Sequence, residues 1–337
     1  MSTPPSFITA NEAVNALKNG ELVALPTETV YGLAAPIDNP QALEHIFKLK
    51  ERPLYDPLIV HISDLGMLHQ VAQTQNSPAL VTLAEHFWPG PLTLVFPKNP
   101  QAVSDLITSG QDTVAVRMPR HSAALEVIAR LGTPLAAPSA NPFKKTSPTS
   151  ATLVQQYFPD LKVLDGGECQ VGIESTIVRQ IDPHTVEILR PGMITAEDMR
   201  GIPHWNFEIT TNFNAQGPGS MKEHYQPQKP LFLIRGSGDL PPHLRLQALQ
   251  KNLEISFLQK YKLNERLHKL NIHEIALHND PLLAARYIYR QLLEEGEQAD
   301  ILYIYWDQTQ KNTEAWQSIL NRLEKAAVKT ILAEQPN

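Results

Sequence analysis

The stretch 47-FKLKERPLYDPLIVH-61 changes character twice. It begins in helical spacing, collects Lys48, Lys50 and Arg52 within five residues, and then meets Pro53 and Pro57. Proline removes a backbone donor and clashes with the preceding turn, so a helix must stop there. The apolar run Leu58-Ile59-Val60 that follows reads as a buried strand. A helix, a cationic loop and a strand in succession place this part of the chain in an α/β fold.

The pattern extends outward in both directions. Upstream, "NPQALEHIFKLKER" is a helix with Ala42, Leu43, Ile46, Phe47 and Leu49 near helical spacing. "ELVALP" is a short buried strand. "TANEAVNALKNG" is a helix that Thr9 can cap, with Glu12 at the capping-box position and Gly20 at its end. Downstream come "SPALVTLAEHFWPG" (helix), "PLTLVFPK" and "DTVAVRMP" (strands), "HSAALEVIARLG" (helix) and "TPLAAPSAN" (short strand into a polar loop). "ESTIVRQI" and "TVEILRPG" then form a hairpin around Asp182-Pro183. Helices and strands are mixed but do not alternate strictly. The expectation is an α/β domain over residues 1–203 built on a twisted, open, mixed sheet. Residues 204–229 are rich in Asn, Gly, Pro and Gln and read as a linker or lid. Residues 230–337 carry "PLFLIRG", "DPLLAARYIYRQLLEEGEQ", "ADILYIYW", "NTEAWQSILNRLEKAA" and "KTIL", the texture of a small Rossmann-like α/β domain.

Composition narrows the function. The 337 residues are 42% hydrophobic, enough for a sizeable core, and 19% charged, with net charge −6. With no block of like charges, a broad polybasic nucleic-acid face is not expected, and any cationic site must be local. The single cysteine, Cys169, allows no internal disulfide and no thiolate metal cluster, which fits a reducing cytoplasm. The N-terminal stretch has no apolar run after a basic start, so no signal peptide is expected. No apolar run approaches the roughly 20 residues of a membrane span, so a cytoplasmic protein away from membranes is expected. Walker, dinucleotide, zinc-protease and nucleophile-elbow motifs are missing. "GPGSMK", Gly217 to Lys222, has Walker-like letters at the wrong spacing, and "RGSGDL" lacks the third glycine.

What remains is a set of polar segments at strand ends. "LPTETVYGL" supplies threonines, a glutamate and a tyrosine. Lys50 and Arg52 form either a solvated helix C-terminus or a phosphate clamp, in which Arg is a planar fork and Lys a mobile point charge. Arg117 lies inside an apolar strand and needs an anion, from a structural ion pair or a ligand carboxylate. "APSANPFKKTSPT", "VGIESTIV" and "EILRPG" add hydroxyl, amide and guanidinium groups. Such a set, lacking a nucleophilic triad or metal cage, suits positioning and charge stabilisation in phosphoryl or nucleotidyl transfer.

In order along the chain, "LPTETVYGL", K-x-R-x4-P-L-I-V-H, "WPGPLTLV", "DTVAVRMP", "APSAN", "GIESTIV" and "LRPG" resemble the YrdC-like domain of threonylcarbamoyl-AMP synthases. "PGSMKEHYQPQKPL" and the unit after it are similar to the long form, which has an extra C-terminal domain. The resemblance implies a sheet with a concave cationic cavity. It also implies that L-threonine, bicarbonate or CO2, and ATP with Mg²⁺ give threonylcarbamoyl-AMP and pyrophosphate. A downstream tRNA threonylcarbamoyl transferase would use the product; direct contact with it, or with tRNA, stays open.

Residue by residue, the resemblance makes Lys50 and Arg52 the catalytic, phosphate-binding pair. Asp56, Ser139, Asn141, Ser147 and Arg190 become nucleotide contacts, and Tyr225 of "HYQP" a linker tyrosine closing over the nucleotide. Gln226 departs from the family's usual alanine. Thr29, His61, Arg117, Ser175 and Thr176 match the threonine site, with Arg117 for the carboxylate and His61 as either a base or a hydroxyl contact. Two rival readings are an RNA-binding module and a carbamoyl-adenylate-forming enzyme.

Overall fold

The computed structural model describes residues 7–213, 223–263 and 269–333. The Gly217–Lys222 stretch, and 214–222 within the expected linker, lie outside the described residues. The chain separates into two units, Met1–Phe143 with Ser147–Ser220, and Lys144–Thr146 with Met221–Asn337.

The first unit runs β1 (Phe7–Ile8), α1 (Ala10–Lys18), β2 (Val23–Leu25), β3 (Gly32–Pro36), α2 (Pro40–Lys50), β4 (Ile59–His61), α3 (Leu65–Val71), α4 (Pro78–Phe87), β5 (Leu92–Pro97), α5 (Asp105–Thr108), β6 (Thr113–Arg117), α6 (Ser122–Leu131), β7 (Leu135–Ala136), α7 (Ala151–Tyr157), β8 (Lys162–Leu164), β9 (Thr176–Asp182), β10 (Thr185–Arg190), α8 (Ala196–Arg200) and β11 (Glu208–Thr211). These strands form one sheet in the order β1-β8-β2-β3-β7-β4-β6-β5-β9-β10-β11. The sheet is mixed, as expected: β4 and β6 are parallel, β5 and β6 antiparallel, and β9 and β10 form the antiparallel hairpin. Within the stretch read as linker, β11 is a strand that pairs in parallel with β10.

Local chemistry sets the helix ends. Thr9 and Glu12 form a reciprocal capping box on α1. Asn39 accepts from Ala42 N to cap α2, with Pro40 in its first turn. α2 ends on Glu51, a non-glycine residue in the left-handed region at φ 53°, which starts the loop carrying Arg52.

The second unit runs β12 (Leu231–Gly236), α9 (Pro242–Lys251), α10 (Ile255–Lys260), β13 (Ile272–Glu274), α11 (Pro281–Gln298), β14 (Ile301–Asp307), α12 (Glu314–Ala326) and β15 (Lys329–Leu332). Its sheet, β13-β14-β12-β15, is parallel throughout. Alternating residues Phe232, Ile234, Ile301, Tyr303 and Tyr305 pack with Leu249 and Leu258 of the α9–α10 layer. On the other face Trp306 meets Trp316 of α12 edge-on, with ring centroids 5.7 Å apart. Helices thus cover both faces, as a parallel sheet requires. Among the described residues no helix is long and apolar enough to cross a membrane.

Candidate active site

The loop between β2 and β3 folds on a hydroxyl. Thr27 Oγ1 accepts from Thr29 N and Val30 N and donates to the Val30 carbonyl at 2.6 Å. This turn presents two consecutive side chains to Arg117 at the end of β6. Arg117 Nη1 donates to Thr29 Oγ1 at 2.7 Å, Nη2 lies 2.7 Å from Glu28 Oε2, and Nε donates to the Gly90 carbonyl at 3.2 Å. The buried strand arginine therefore has its anion, and that anion is Glu28. Both are almost sealed from solvent, Glu28 at 1% and Arg117 at 4% exposure. Arg120 N also donates to Glu28 Oε2, while Glu28 Oε1 is buried without a hydrogen-bond partner.

His61 is the register partner of Arg117 across the β4–β6 pair. Its Nδ1 lies 3.3 Å from the Ile59 carbonyl. Burial, and then the charge of Arg117, push its pKa down to about 3, so the ring is neutral near pH 7. Ser175 Oγ is 2.7 Å from Thr93 Oγ1, and Arg190 donates to Ser175 from Nε to the carbonyl and from Nη2 to Oγ, both at 3.0 Å. Thr176 points elsewhere: its hydroxyl donates to the Ile194 carbonyl at 2.6 Å. Gly192 is packed so tightly here that a Cβ would fall 2.4 Å from Thr176 N.

The second group of residues gathers on the cationic loop. Lys50 is 1% exposed, and its ammonium donates to the carbonyls of Ser139 and of Asn141, the latter at 2.5 Å. It is a pinned cation rather than a mobile one. Burial lowers its pKa well below the ordinary range, the charge of Arg52 adds to that, and Asp56 opposes it. Arg52 draws its own loop around itself, through Asp56 Oδ2 at 3.0 Å and the carbonyls of Asp56 and Pro57. The "SAN" loop is held from the other side by Ala140 N to the Tyr31 carbonyl and Leu33 N to the Pro138 carbonyl. Residues 29–33 therefore join the two groups: Thr29 touches Arg117, and Tyr31 and Leu33 fix the loop that Lys50 grips. Ser147 donates to Glu174 Oε1 at 2.7 Å, one residue before Ser175.

A family model described as "Telomere recombination" matches residues 15–192, and one described as "Threonylcarbamoyl-AMP synthase, C-terminal domain" matches residues 194–328. The chain is 41% identical to the threonylcarbamoyl-AMP synthase of Bacillus subtilis, over 73% of this chain and 72% of the relative. It is 33% identical to that of Schizosaccharomyces pombe, over 100% of this chain and 92% of the relative. The chain belongs to the threonylcarbamoyl-AMP synthase family. A solved structure of Pyrococcus abyssi Sua5 complexed with L-threonine is also similar, at 30% identity and TM-score 0.78, covering 96% of this chain and 95% of that one.

Tyr225, expected over the nucleotide in this family, belongs to the second unit. It is buried, stacked on Tyr289 at 5.7 Å, and lies under the Arg322 guanidinium at 5.8 Å. Its backbone is left-handed at φ 62°. Thr146 Oγ1 donates to the Tyr225 carbonyl, and Gln226 N to the Lys144 carbonyl at 2.8 Å. The main chain of Gln226 makes that contact, and alanine would make it equally well. In the sequence Glu28 stands only as one polar residue of "LPTETVYGL", and neither Thr93 nor Glu174 stands out. The signal for Glu28 was present, because a strand arginine demands a carboxylate and "TET" holds one.

Proposed function

We propose that this chain is an L-threonylcarbamoyladenylate synthase, a nucleotidyltransferase joining L-threonine, bicarbonate or CO2, and the adenylyl group of ATP, with release of pyrophosphate. The observation that carries this reading is the bridge formed by residues 29–33. On one side stands a buried arginine with hydroxyls, and on the other the loop whose carbonyls hold Lys50, with Arg52 beside it. Such an arrangement suits two different anions held close together.

In this reading Arg117, with Thr29 and Ser175, receives the threonine carboxylate. His61 stays neutral; with Nδ1–H donated to Ile59, its Nε2 accepts the threonine hydroxyl rather than acting as a base. The deprotonated amine captures CO2 as a carbamate, one oxygen of which attacks the α-phosphorus, and pyrophosphate leaves. Lys50 keeps one ammonium hydrogen beyond its two carbonyl partners, and Arg52 lies beside it. Together they neutralise charge developing at phosphorus. Asp56, the partner of Arg52, orients that guanidinium. Asn141, Ser139, Ser147 and Arg190 border the nucleotide. Thr176 shapes the turn beside Ser175.

Among the described residues no cluster of three or more His, Cys, Asp or Glu is placed to hold a metal. Mg²⁺ is proposed to enter on the triphosphate, as part of the substrate. The product would pass to a tRNA threonylcarbamoyl transferase. The test is pyrophosphate release from MgATP with threonine and bicarbonate supplied together and singly. Release that requires both supports the reading; release indifferent to threonine, or none, overturns it.

A further inference from the structure

The second unit has a cleft of its own. In its sheet, the connection leaving β12 runs through α9 and α10 to β13, beyond β14. The connection leaving β14 runs through α12 on the opposite face to β15, beyond β12. Two adjacent parallel strands therefore send their following loops to opposite faces. In open α/β sheets a crevice opens at the carboxyl ends of such a strand pair, and ligands bind there. Here that crevice is a cleft of about 280 Å³ bordered by Asp239, Arg245, Glu274, Tyr305, Asp307 and Lys311.

The cleft is built from interlocking parts. Arg245 is neutralised twice, by Glu274 and by Asp239, and lies 4.2 Å over the Tyr305 ring. Tyr305 Oη donates to the Gly238 carbonyl at 2.6 Å, and Gly238 N donates back to Asp307 Oδ1 at 2.9 Å. Gly236 has to be glycine, since a Cβ would fall 2.6 Å from Tyr305 Oη. The walls are thus fixed before anything enters.

Two groups have capacity left over. Asp307 is 4% exposed, and all three of its donors, Gly238 N, Thr309 N and Thr309 Oγ1, go to Oδ1. Its Oδ2 has no hydrogen-bond partner among the described residues. The Lys311 amine makes no ion pair or hydrogen bond among them and rests 5.3 Å from the Trp316 ring. Desolvation outweighs the pull of Asp307 and lowers the Lys311 pKa. An acceptor and a cation facing one cleft, fixed but not closed on each other, leave room for a ligand bearing both opposite charges.

We propose that this cleft binds a small zwitterion of the α-amino acid class, its ammonium on Asp307 and its carboxylate on Lys311. A nucleotide is disfavoured, because its phosphate would face one uncommitted cation beside a carboxylate. The site is separate from the threonine pocket proposed in the first unit and does not depend on that reading.

The four tryptophans give a direct readout, because Trp316 borders Lys311. The full chain with ¹⁵N-labelled indoles would be titrated with each proteinogenic L-amino acid, then with 3-hydroxybutyrate and with ethanolamine, which lack one of the two charges. The expected result is that at least one amino acid shifts the Trp316 indole signal, that neither single-charge compound does, and that Lys311→Met weakens the effect by about tenfold or more. Asp307→Asn should do the same. If Asp307→Asn does not fold, Lys311→Met decides alone, since Lys311 is only half-buried. The proposal is overturned if no amino acid moves the signal, if 3-hydroxybutyrate moves it as well, or if Lys311→Met leaves the response unchanged.

Discussion

The two candidate sites treat charge in opposite ways. In the first, Lys50, Arg117, Arg190 and Glu28 are buried and nearly every polar atom is engaged by a neighbour, often a backbone carbonyl. In the second, charges collect at the carboxyl edge of a parallel sheet, where Arg245 is saturated and Lys311 is left over. The difference teaches what each unit's charges are for. Buried cations in the first unit are stability elements as well as site residues, so removing one breaks both. A cation that makes no ion pair at a sheet edge and only rests against an aromatic ring contributes little to the fold.

The sharpest way to break that contrast is Arg117→Ala. It leaves Glu28 as a buried carboxylate without its counter-ion, which costs about 3–5 kcal/mol. Urea unfolding followed by tryptophan fluorescence should show the loss, and threonine-dependent pyrophosphate release should vanish. Full stability in Arg117→Ala would show that the Glu28 pair is not what holds this loop. Arg52→Ala comes next. It removes the guanidinium that pairs with the buried Asp56 carboxylate, so stability should fall here as well. Transition-state stabilisation should fall by about 2–5 kcal/mol, read as kcat/KM for ATP, because a desolvated phosphate loses its partner. Threonine affinity by calorimetry should be nearly unchanged; if it falls in step with kcat/KM, the two groups of residues are not separate subsites.

Much of the fold was legible in the residues, for identifiable reasons. Helices announced themselves through side-chain capping: Thr9 with Glu12, and Asn39 before Pro40, are local chemistry that one sequence carries whole. The β9–β10 hairpin was legible because its partners are neighbours in sequence. β1, β3 and β8 were not. β1 has two residues and β8 three, and β1 pairs with β8 from the far side of the unit, so no local pattern reveals either. β3 is buried along its length and shows no alternation. The site follows the same rule. Lys50, Arg52 and Arg117 stood out as cations among apolar residues. What they grip lies far off in sequence: the Ser139 and Asn141 carbonyls leave no trace in residue identity, and Glu28 hides in a motif whose threonines drew attention.

His61 gives a third test, through pH. Its folded pKa of about 3 lies below the ordinary 6.5, so between those values the unfolded chain binds a proton that the folded chain refuses. Stability from this group is therefore complete above pH 6.5 and falls as the pH is lowered, by about 1.4 kcal/mol per unit. Unfolding measured from pH 7.5 to 5 should show this slope, and His61→Gln should remove it. The His61 ring protons should not titrate over that range by NMR. A ring that titrates near 6 would return His61 to the role of base.

The smallest effect bears on the comparison most directly. Lys311→Met removes a cation that has no ion pair and whose charged form is disfavoured by desolvation. A lysine whose pKa is lowered on folding opposes folding at neutral pH, so deleting its charge should not cost stability. The expected change in unfolding free energy lies within about 0.5 kcal/mol of zero, on the stabilising side. Arg117 and Lys311 then differ in kind: one cation is needed by the fold that contains it, while the other is kept at the fold's expense. If Lys311→Met instead destabilises the second unit by a kilocalorie or more, Lys311 is part of the scaffold, and the contrast between the units disappears.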